Sequence, residues 1–498
     1  MPANNFVDRL AYDRLRELGL PPSELCSDAE FHRRASLDAV GTLPTPDEAR
    51  AFLADTDPAK RDKLVERLLA DARYGDHWAS KWADLLRPNP FRVGVKSVYV
   101  LDQWLRESFR ANKPYDRFAA EVLLARGSTH KHGPAVVLRD RREPADLTTL
   151  VSQVFLGVRL ECAKCHHHPN EKWSQEDFYQ LAAFFGPLKR NGQGISAPIS
   201  GEAEFIWFAP GGGGVTHPVT GEPMKPKAPD GPVADVPPDR DPREALAAWM
   251  TSPDNPFFAR AAVNRVWAEL MGRGIVHPVD DFRASNLATN QPLLDALATD
   301  FVEHKFDLKH LIGTVMRSRV YQLSSMPQGR NVTDNRNFSR WLRRRPSAEV
   351  LLDAVSDVTG VAEPLPGLAP DGRAVRSWNY RSESNFLDAF GRPNASADPP
   401  CEREPQGSIV QALHMMNSTR LAEKIAHESG RAATLAKSER GVDAIVTELY
   451  LATYARFPTP DEMKTAAGAF SAEGATRQSA TEDLMWALLN SAEFVLNH

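Results

Sequence analysis

Start signals of α-helices recur along this chain and constrain its fold more than any other feature of the sequence. The tetrapeptide Thr-Pro-Asp-Glu at residues 45–48 forms a capping box with proline at the first helical position, and it recurs at residues 459–462. Each copy precedes an apolar helix, and a second helix follows at residues 64–74 in one case and 484–494 in the other. The pattern predicts a mainly α protein in which one helical hairpin is built twice.

The stretch from residue 191 to residue 240 interrupts this helical pattern. It contains four consecutive glycines at 211–214 and many prolines, residue types that are typical of loops. Because 498 residues are too many for one hydrophobic core, we predict two helical domains, residues 1–190 and 241–498, joined by this Gly/Pro-rich, loop-rich segment. The tetrapeptide Phe-Ile-Trp-Phe at 205–208 predicts one short strand, so little β structure is expected.

Charge and hydropathy argue against several classes of protein. The net charge of −5 gives no indication of a nucleic-acid partner, and no apolar run approaches the roughly 20 residues that a membrane-spanning helix needs. The first residues of the chain lack the basic start and the apolar stretch of a signal peptide. A cytoplasmic location would follow if no export signal exists.

The strongest chemical signal is a C-x-x-C-H motif formed by Cys162, Cys165 and His166. This spacing is used to attach c-type haem. Two thiols three residues apart reach the two vinyl groups on one edge of the porphyrin, and the neighbouring imidazole ligates the iron. The motif therefore predicts haem c bound by these three residues.

Other chemistries fit the same loop. Zinc takes four thiolate or imidazole ligands, and Cys162, Cys165, His166 and His168 would supply such a set. A redox dithiol and an inert pair of buried thiols are further alternatives. The other two cysteines of the chain lie too far apart in sequence for their spacing to predict a pairing: Cys26 and Cys401.

The position of His168 separates the haem hypothesis from the zinc hypothesis. His168 lies two residues after His166, which is too short a tether to carry its imidazole around the porphyrin to the opposite face. With haem, that face is empty or is filled by a residue from elsewhere, and His77 and His414 are candidates. With a small tetrahedral ion, in contrast, a nearby imidazole can share the metal with the thiolates.

Two further patterns are interpreted as structural. Ser174 and Asp177 have the spacing of a capping box, and the apolar run at residues 178–185 predicts a helix directly behind the cysteine loop. Asp280 and Asp281 are adjacent acidic residues, whose side chains usually diverge. We therefore expect one of them to cap a helix and the other to pair with Arg283.

Several stretches of the chain resemble a known family. Residues 74–78 (Tyr-Gly-Asp-His-Trp) and residues 161–169, which contain the C-x-x-C-H motif, resemble the planctomycete-specific cytochrome-type domain. Four stretches of the second half resemble the usual companion domain from the same bacteria: residues 255–260, 263–267, 272–282 and 411–417. Together the two resemblances extend over nearly the whole chain.

The resemblance implies a cytochrome-like role in the periplasm or elsewhere in the cell envelope, although both domains are classed as being of unknown function. The partners that it implies are a redox partner or a sulfatase-like envelope protein. His167 stands where relatives often carry an acidic or amide residue, which leaves the second axial ligand open.

We accordingly predict electron transfer or redox support of an envelope enzyme system. One alternative is a metal-dependent hydrolase or polysaccharide-modifying enzyme, whose site would combine His166 and His168 with distant carboxylates. Another alternative is a scaffold in which the cysteine loop is a structural metal clasp.

Overall fold

The predicted helix starts are present in the structure, a computed structural model that describes residues 2–86, 88–192, 201–378, 383–394 and 408–498. At the first capping box, Glu48 N donates to Thr45 Oγ1 at 3.2 Å, and Thr45 N donates to Glu48 Oε2 at 2.8 Å. At the second, the same two bonds join Thr459 and Glu462 at 3.3 and 2.7 Å. Each box opens a helix with proline at its start, so both predicted helix starts are confirmed, whereas the repeated hairpin stays a prediction.

The described part of the chain before residue 193 contains eleven helices and two strands. Its helices, in chain order, are α1 (Phe6–Glu17), α2 (Asp28–Val40), α3 (Pro46–Ala54), α4 (Lys60–Ala70), α5 (Ala72–Leu86), α6 (Pro90–Val93), α7 (Val95–Arg110), α8 (Tyr115–Leu123), α9 (Gly133–Asp140), α10 (Pro144–Phe155) and α11 (Gln175–Ala182). Short 3₁₀ turns lie at Glu161–Lys164 and Ala183–Phe185.

The described part of the second half is also helical. Its helices are α12 (Pro242–Met250), α13 (Phe258–Met271), α14 (Gln291–Glu303), α15 (Leu308–Arg317), α16 (Ala348–Thr359), α17 (Asn385–Ala389), α18 (Ile409–Asn417), α19 (Thr419–Ile425), α20 (Arg431–Lys437), α21 (Val442–Tyr454), α22 (Pro460–Ala469), α23 (Arg477–Leu489) and α24 (Ala492–Val495). Two more 3₁₀ turns lie at Gly329–Thr333 and Ala374–Arg376.

One small antiparallel sheet accompanies the helices. Its strands are β1 (Gly127–Ser128), β2 (Leu188–Gly192) and β3 (Glu204–Phe208), in the order β1-β3-β2. Strand β3 coincides with the strand predicted from the Phe-Ile-Trp-Phe tetrapeptide. The prediction of a mainly α protein with little β structure is therefore confirmed.

Two large hydrophobic cores organise the described residues. The first core extends from Val7 to Trp341 and takes residues from both sides of the Gly/Pro-rich segment. Within it, Tyr115 stacks on Phe258 with ring centroids 5.2 Å apart. The second core extends from Ala348 to Phe494 and also takes Leu37 and Leu43 from the N-terminal part of the chain. The cores thus divide the chain after Trp341, whereas the boundaries at residues 190 and 241 stay a prediction.

Helix α2 connects the two cores. Its residue Leu37 and the following Leu43 belong to the second core, although Phe31 of the same helix belongs to the first. The two consecutive arginines Arg33 and Arg34 are fully buried. Because a buried guanidinium group needs hydrogen-bond acceptors, both donate to main-chain oxygens. The acceptors lie at Phe494, Leu496, His498, Tyr321 and Leu323.

Asp38, near the end of α2, is the centre of a buried polar cluster. Its carboxylate accepts hydrogen bonds from Tyr321 Oη at 2.9 Å, Arg344 Nη2 at 2.6 Å and Asn497 Nδ2 at 2.9 Å. Arg344 and Asn497 also exchange main-chain hydrogen bonds at 3.1 and 2.7 Å. One carboxylate therefore holds together an N-terminal helix, the end of the first core and the last residues of the chain.

His32 of α2 makes the stability of this region sensitive to pH. The ring is buried against Phe52, and burial, with the nearby positive charge of Arg67, lowers the pKa of His32 to about 4. As pH falls below the ordinary histidine pKa of about 6.5, the unfolded chain binds a proton that the folded state refuses, so stability decreases. Between pH 7 and pH 5 this group should cost about 2 kcal/mol of unfolding free energy.

Urea unfolding of the wild type and of His32→Leu at both pH values measures this effect. The wild type should lose about 2 kcal/mol more than the variant, which has no titrating group at this position. His427→Leu, a change at an exposed histidine, serves as a control. This variant should lose as much unfolding free energy between pH 7 and pH 5 as the wild type does. Parallel losses in wild type and His32→Leu would contradict the assignment.

Candidate functional site

The two cysteines of the C-x-x-C-H motif lie on a single exposed turn. The turn is the 3₁₀ helix Glu161–Lys164, in which Ala163 N donates to Leu160 O at 2.9 Å. Ala163 is fully buried, whereas Cys162 and Cys165 are exposed and free. The buried alanine therefore anchors the turn, and both thiols are presented to solvent on its outer side.

Helix α11 supports the turn from behind. Gln175 Nε2 and Tyr179 Oη both donate to Lys164 O, at 3.0 and 3.2 Å. The predicted capping box is present, because Asp177 N donates to Ser174 Oγ at 3.0 Å and Ser174 N donates to Asp177 Oδ2 at 2.9 Å. Burial acts to raise the pKa of Asp177, but the hydrogen bonds from Ser174 lower it below its usual value. The start of α11 is thus fixed against the cysteine turn.

The segment that leads into the turn is held by the second half of the chain. Gly157 has φ +69°, and a Cβ atom there would lie 2.6 Å from the ring of Phe282, so the backbone needs glycine. Phe282 N donates to Gly157 O at 2.9 Å. Arg159 Nη2 lies 2.6 Å from Asp280 Oδ1. The loop that carries the cysteines is therefore supported by residues more than a hundred positions later in the chain.

Asp280 and Asp281 diverge, as expected for adjacent side chains. Asp281 pairs with Arg283 at 3.2 Å, which confirms one of the two predicted roles. The other role is wrong, because Asp280 accepts hydrogen bonds from Arg159 and Gln153 and caps no helix. Burial acts to raise the pKa of Asp280, but these two hydrogen bonds lower it. This aspartate positions the approach to the cysteine turn.

The hydrogen bonds of the three consecutive histidines, His166 to His168, assign their tautomers. His166 Nδ1 lies 2.7 Å from the main-chain oxygen of His167, and since a carbonyl oxygen only accepts, Nδ1 carries the proton. His167 Nδ1 and His168 Nδ1 instead accept from Gln175 N and Asn170 N, each at 3.2 Å. In the neutral rings, only His166 presents an Nε2 lone pair to a metal.

The predicted zinc set does not form a convergent group in this geometry. All four of its residues, Cys162, Cys165, His166 and His168, lie in the described part of the chain. Within that part, the one group of three potential ligand side chains whose atoms lie within 4.8 Å of one another is Asp300, His304 and His310. We did not single out this group from the sequence, although the four-residue spacing of an aspartate and a histidine in a predicted helix is a signal that could have found it.

The other candidate residues lie against different parts of the fold. His77 is buried, and its ring packs against Gly41 at the end of α2. His414 packs edge-on against Phe386 and Phe390 beside the second core. Both stay predictions as ligands of an opposite haem face. Cys26 is buried and free, and Cys401 lies outside the described residues.

Two family models match the chain. Residues 6–190 match PSCyt2, described as a protein of unknown function (DUF1549). Residues 242–470 match PSD1, also described as a protein of unknown function (DUF1553). No curated protein and no solved structure matches the chain significantly. Among the described residues, no helix has both the length and the apolar character needed to cross a membrane.

Proposed function

Because the chain consists of a PSCyt2 domain followed by a PSD1 domain, the planctomycete-specific cytochrome-like pairing, we propose that it is an electron-transfer protein of the cell envelope. In this proposal haem c is attached to Cys162 and Cys165 and ligated by His166. The haem, when bound, supplies a one-electron redox centre at the protein surface. Its periplasmic or other envelope location follows from the proposal, since c-type haem is attached outside the cytoplasm.

The observation that carries the proposal is the orientation of His166 beside two exposed thiols. A haem-ligating histidine needs its Nε2 lone pair, and hydrogen bonding of Nδ1–H to a main-chain oxygen supplies it. His166 has this arrangement, at 2.7 Å from the oxygen of His167. Each exposed thiol can add its sulfur to one carbon and its hydrogen to the other carbon of a vinyl group, so attachment needs no oxidant.

The same contacts weigh against the zinc alternative. Ligation by His168 through Nδ1 would require it to release the hydrogen bond from Asn170 N. Ligation through Nε2 would require a tautomer in which Nδ1 can no longer accept that bond. Zinc binding by the full predicted set therefore demands a rearrangement at His168. A hydrolase site or a structural clasp that uses His168 as a metal ligand would demand the same rearrangement.

The surface position of the turn suits transfer of electrons to a docked protein. Cys162, Cys165 and His166 are all exposed, so a haem attached there would be reached by a partner without opening either core. We propose a redox partner in the envelope, and a sulfatase-like envelope protein is the other candidate partner. The helix behind the turn and Asp280 would keep the attachment site in place while partners bind and leave.

Single substitutions at the two histidines test the proposal. In protein exported in a host with haem-attachment machinery, His166→Ala should shift the reduction potential by on the order of 100 mV, because axial ligands set haem potentials over a wide range. His168→Ala should leave haem attachment and the main absorption band in place. Potentiometric titration and absorption spectra measure both. Loss of bound metal and of thermal stability in His168→Ala would overturn the haem assignment in favour of zinc.

A further inference from the structure

A second group of metal-ligating side chains lies at the corner between α14 and α15. Asp300 and His304 are four residues apart on the last turn of α14 and its C-cap, so they share one face of the helix. His310 lies in the first turn of α15 and faces the same corner. We propose that Asp300, His304 and His310 bind one divalent transition-metal ion of the zinc class, at a site independent of the cysteine turn.

The distances within the trio match those between ligands of one ion. His310 Nε2 lies 2.9 Å from Asp300 Oδ2, and His304 Nδ1 lies 3.4 Å from Asp300 Oδ1. Nitrogen and oxygen ligands bind zinc at about 2.0–2.2 Å, which places two tetrahedral ligand atoms about 3.4 Å apart. An ion could therefore replace the proton that His310 Nε2 and Asp300 Oδ2 now share, once these two atoms move apart by about 0.5 Å.

One ring must rotate before the ion is bound. The imidazoles of His304 and His310 are stacked, with centroids 3.6 Å apart and planes inclined by 14°. Stacked rings keep their in-plane lone pairs in two nearly parallel planes, so the lone pairs do not converge on one ion. The side chain of His304 is 47% exposed, and it can turn about its Cβ–Cγ bond toward Asp300. Binding would break the hydrogen bond from His304 Nδ1 to the main-chain oxygen of Asp300, which is 2.8 Å long, and the Nδ1 proton would move to Nε2 or leave to solvent.

The backbone of the corner is already fixed. Lys305 and Phe306 both have positive φ, 56° and 58°, which reverses the chain between the helices. Tyr115 N donates to Phe306 O at 3.0 Å, and Asn112 Nδ2 donates to Asp307 Oδ1 at 2.9 Å. Anchoring of this kind holds ligand side chains near a productive geometry.

The apolar faces of both helices add to this anchoring, because they are buried in the first core: Leu297, Phe301, Leu311 and Ile312.

The donor set selects the class of ion. Two imidazoles and one carboxylate suit zinc and similar first-row ions, whereas magnesium and calcium prefer oxygen ligands throughout. Three protein ligands leave a fourth position, and the exposure of His304 opens it to solvent. The proposed site is therefore of the open type, with water completing the coordination.

Cobalt titration of a variant that lacks the thiols of the cysteine turn tests the site. The parent protein is the full chain with Cys162→Ser and Cys165→Ser, so that thiolates contribute nothing. Visible absorption of Co²⁺ should saturate at one equivalent, and Zn²⁺ should displace it. His304→Ala should weaken Co²⁺ binding by at least about 100-fold, since even outer partners of metal ligands are worth about 10–100-fold. Asp300→Asn should weaken it comparably.

The control is His427→Ala, which removes another exposed histidine with a local hydrogen-bond partner, Ser429, and should bind Co²⁺ as the parent does. His304→Ala removes a half-exposed side chain, so its circular dichroism and melting temperature should equal those of the parent. The proposal is overturned if the parent binds no Co²⁺, if His304→Ala binds it as tightly as the parent, or if millimolar Mg²⁺ displaces it.

Discussion

Changing Cys162 and Cys165 together to alanine should abolish covalent haem completely in protein exported in a host with haem-attachment machinery. Both sulfur atoms that could form thioether bonds are then missing, and His166 alone would hold a haem only reversibly. Peroxidase staining for haem on a denaturing gel measures the loss, because only covalently attached haem stays with the chain. Each single substitution should leave one attachment point and an intermediate signal.

Cys26→Ala is the matched control for this experiment. Cys26 is a buried free cysteine remote in sequence from the motif, so its removal should leave the stain unchanged. Staining that persists in the double variant would contradict attachment at these thiols. So would a wild-type protein from the same host that is unstained and carries one zinc ion per chain.

Replacing Asp38 by alanine should lower the free energy of unfolding by about 3–5 kcal/mol, the range found when one partner is removed from a buried ion pair. The carboxylate is almost fully buried, and its removal leaves Tyr321, Arg344 and Asn497 without their shared acceptor. Urea unfolding monitored by circular dichroism measures the loss as a lower midpoint at similar slope.

An exposed aspartate gives the comparison for Asp38. Asp13 pairs with Arg16 at 3.0 Å on the surface of α1, where both side chains are more than half exposed. Surface pairs of this kind contribute about 0–1 kcal/mol, so Asp13→Ala should change the midpoint little. Equal effects of Asp13→Ala and Asp38→Ala would show that the buried cluster carries no special share of the stability.

Local signals in the sequence predicted the helices well. The capping boxes at Thr45, Thr459 and Ser174 were found from residue types and spacing alone, because a cap is formed by side chains within four residues of each other. The short strand β3 was found in the same way. The resemblance to the planctomycete cytochrome-type pairing is confirmed by the two family matches, which rest on several short motifs read together.

Contacts between distant segments were not predictable in this way. The division into two cores depends on α2, which contributes to both, and nothing in the composition of α2 indicates that role. Likewise, no pattern in the sequence links Gly157 to Phe282. Residue 157 must nevertheless be glycine, because the ring of Phe282 lies against it. The tautomer of His166 depends on the orientation of the main-chain carbonyl of His167. The spacing of residues in the motif does not determine that orientation.

The buried arginines of α2 depend on the last residues of the chain for their partners. Arg33 donates to Leu496 O and Arg34 to His498 O, acceptors that follow 463 and 464 positions later. At a synthesis rate of about 5–20 residues per second, a ribosome delivers those acceptors roughly 25 to 90 s after α2. Until then these guanidinium groups cannot be buried with all their partners in place. The packing of α2 therefore cannot be completed before residues 496–498 have been synthesised.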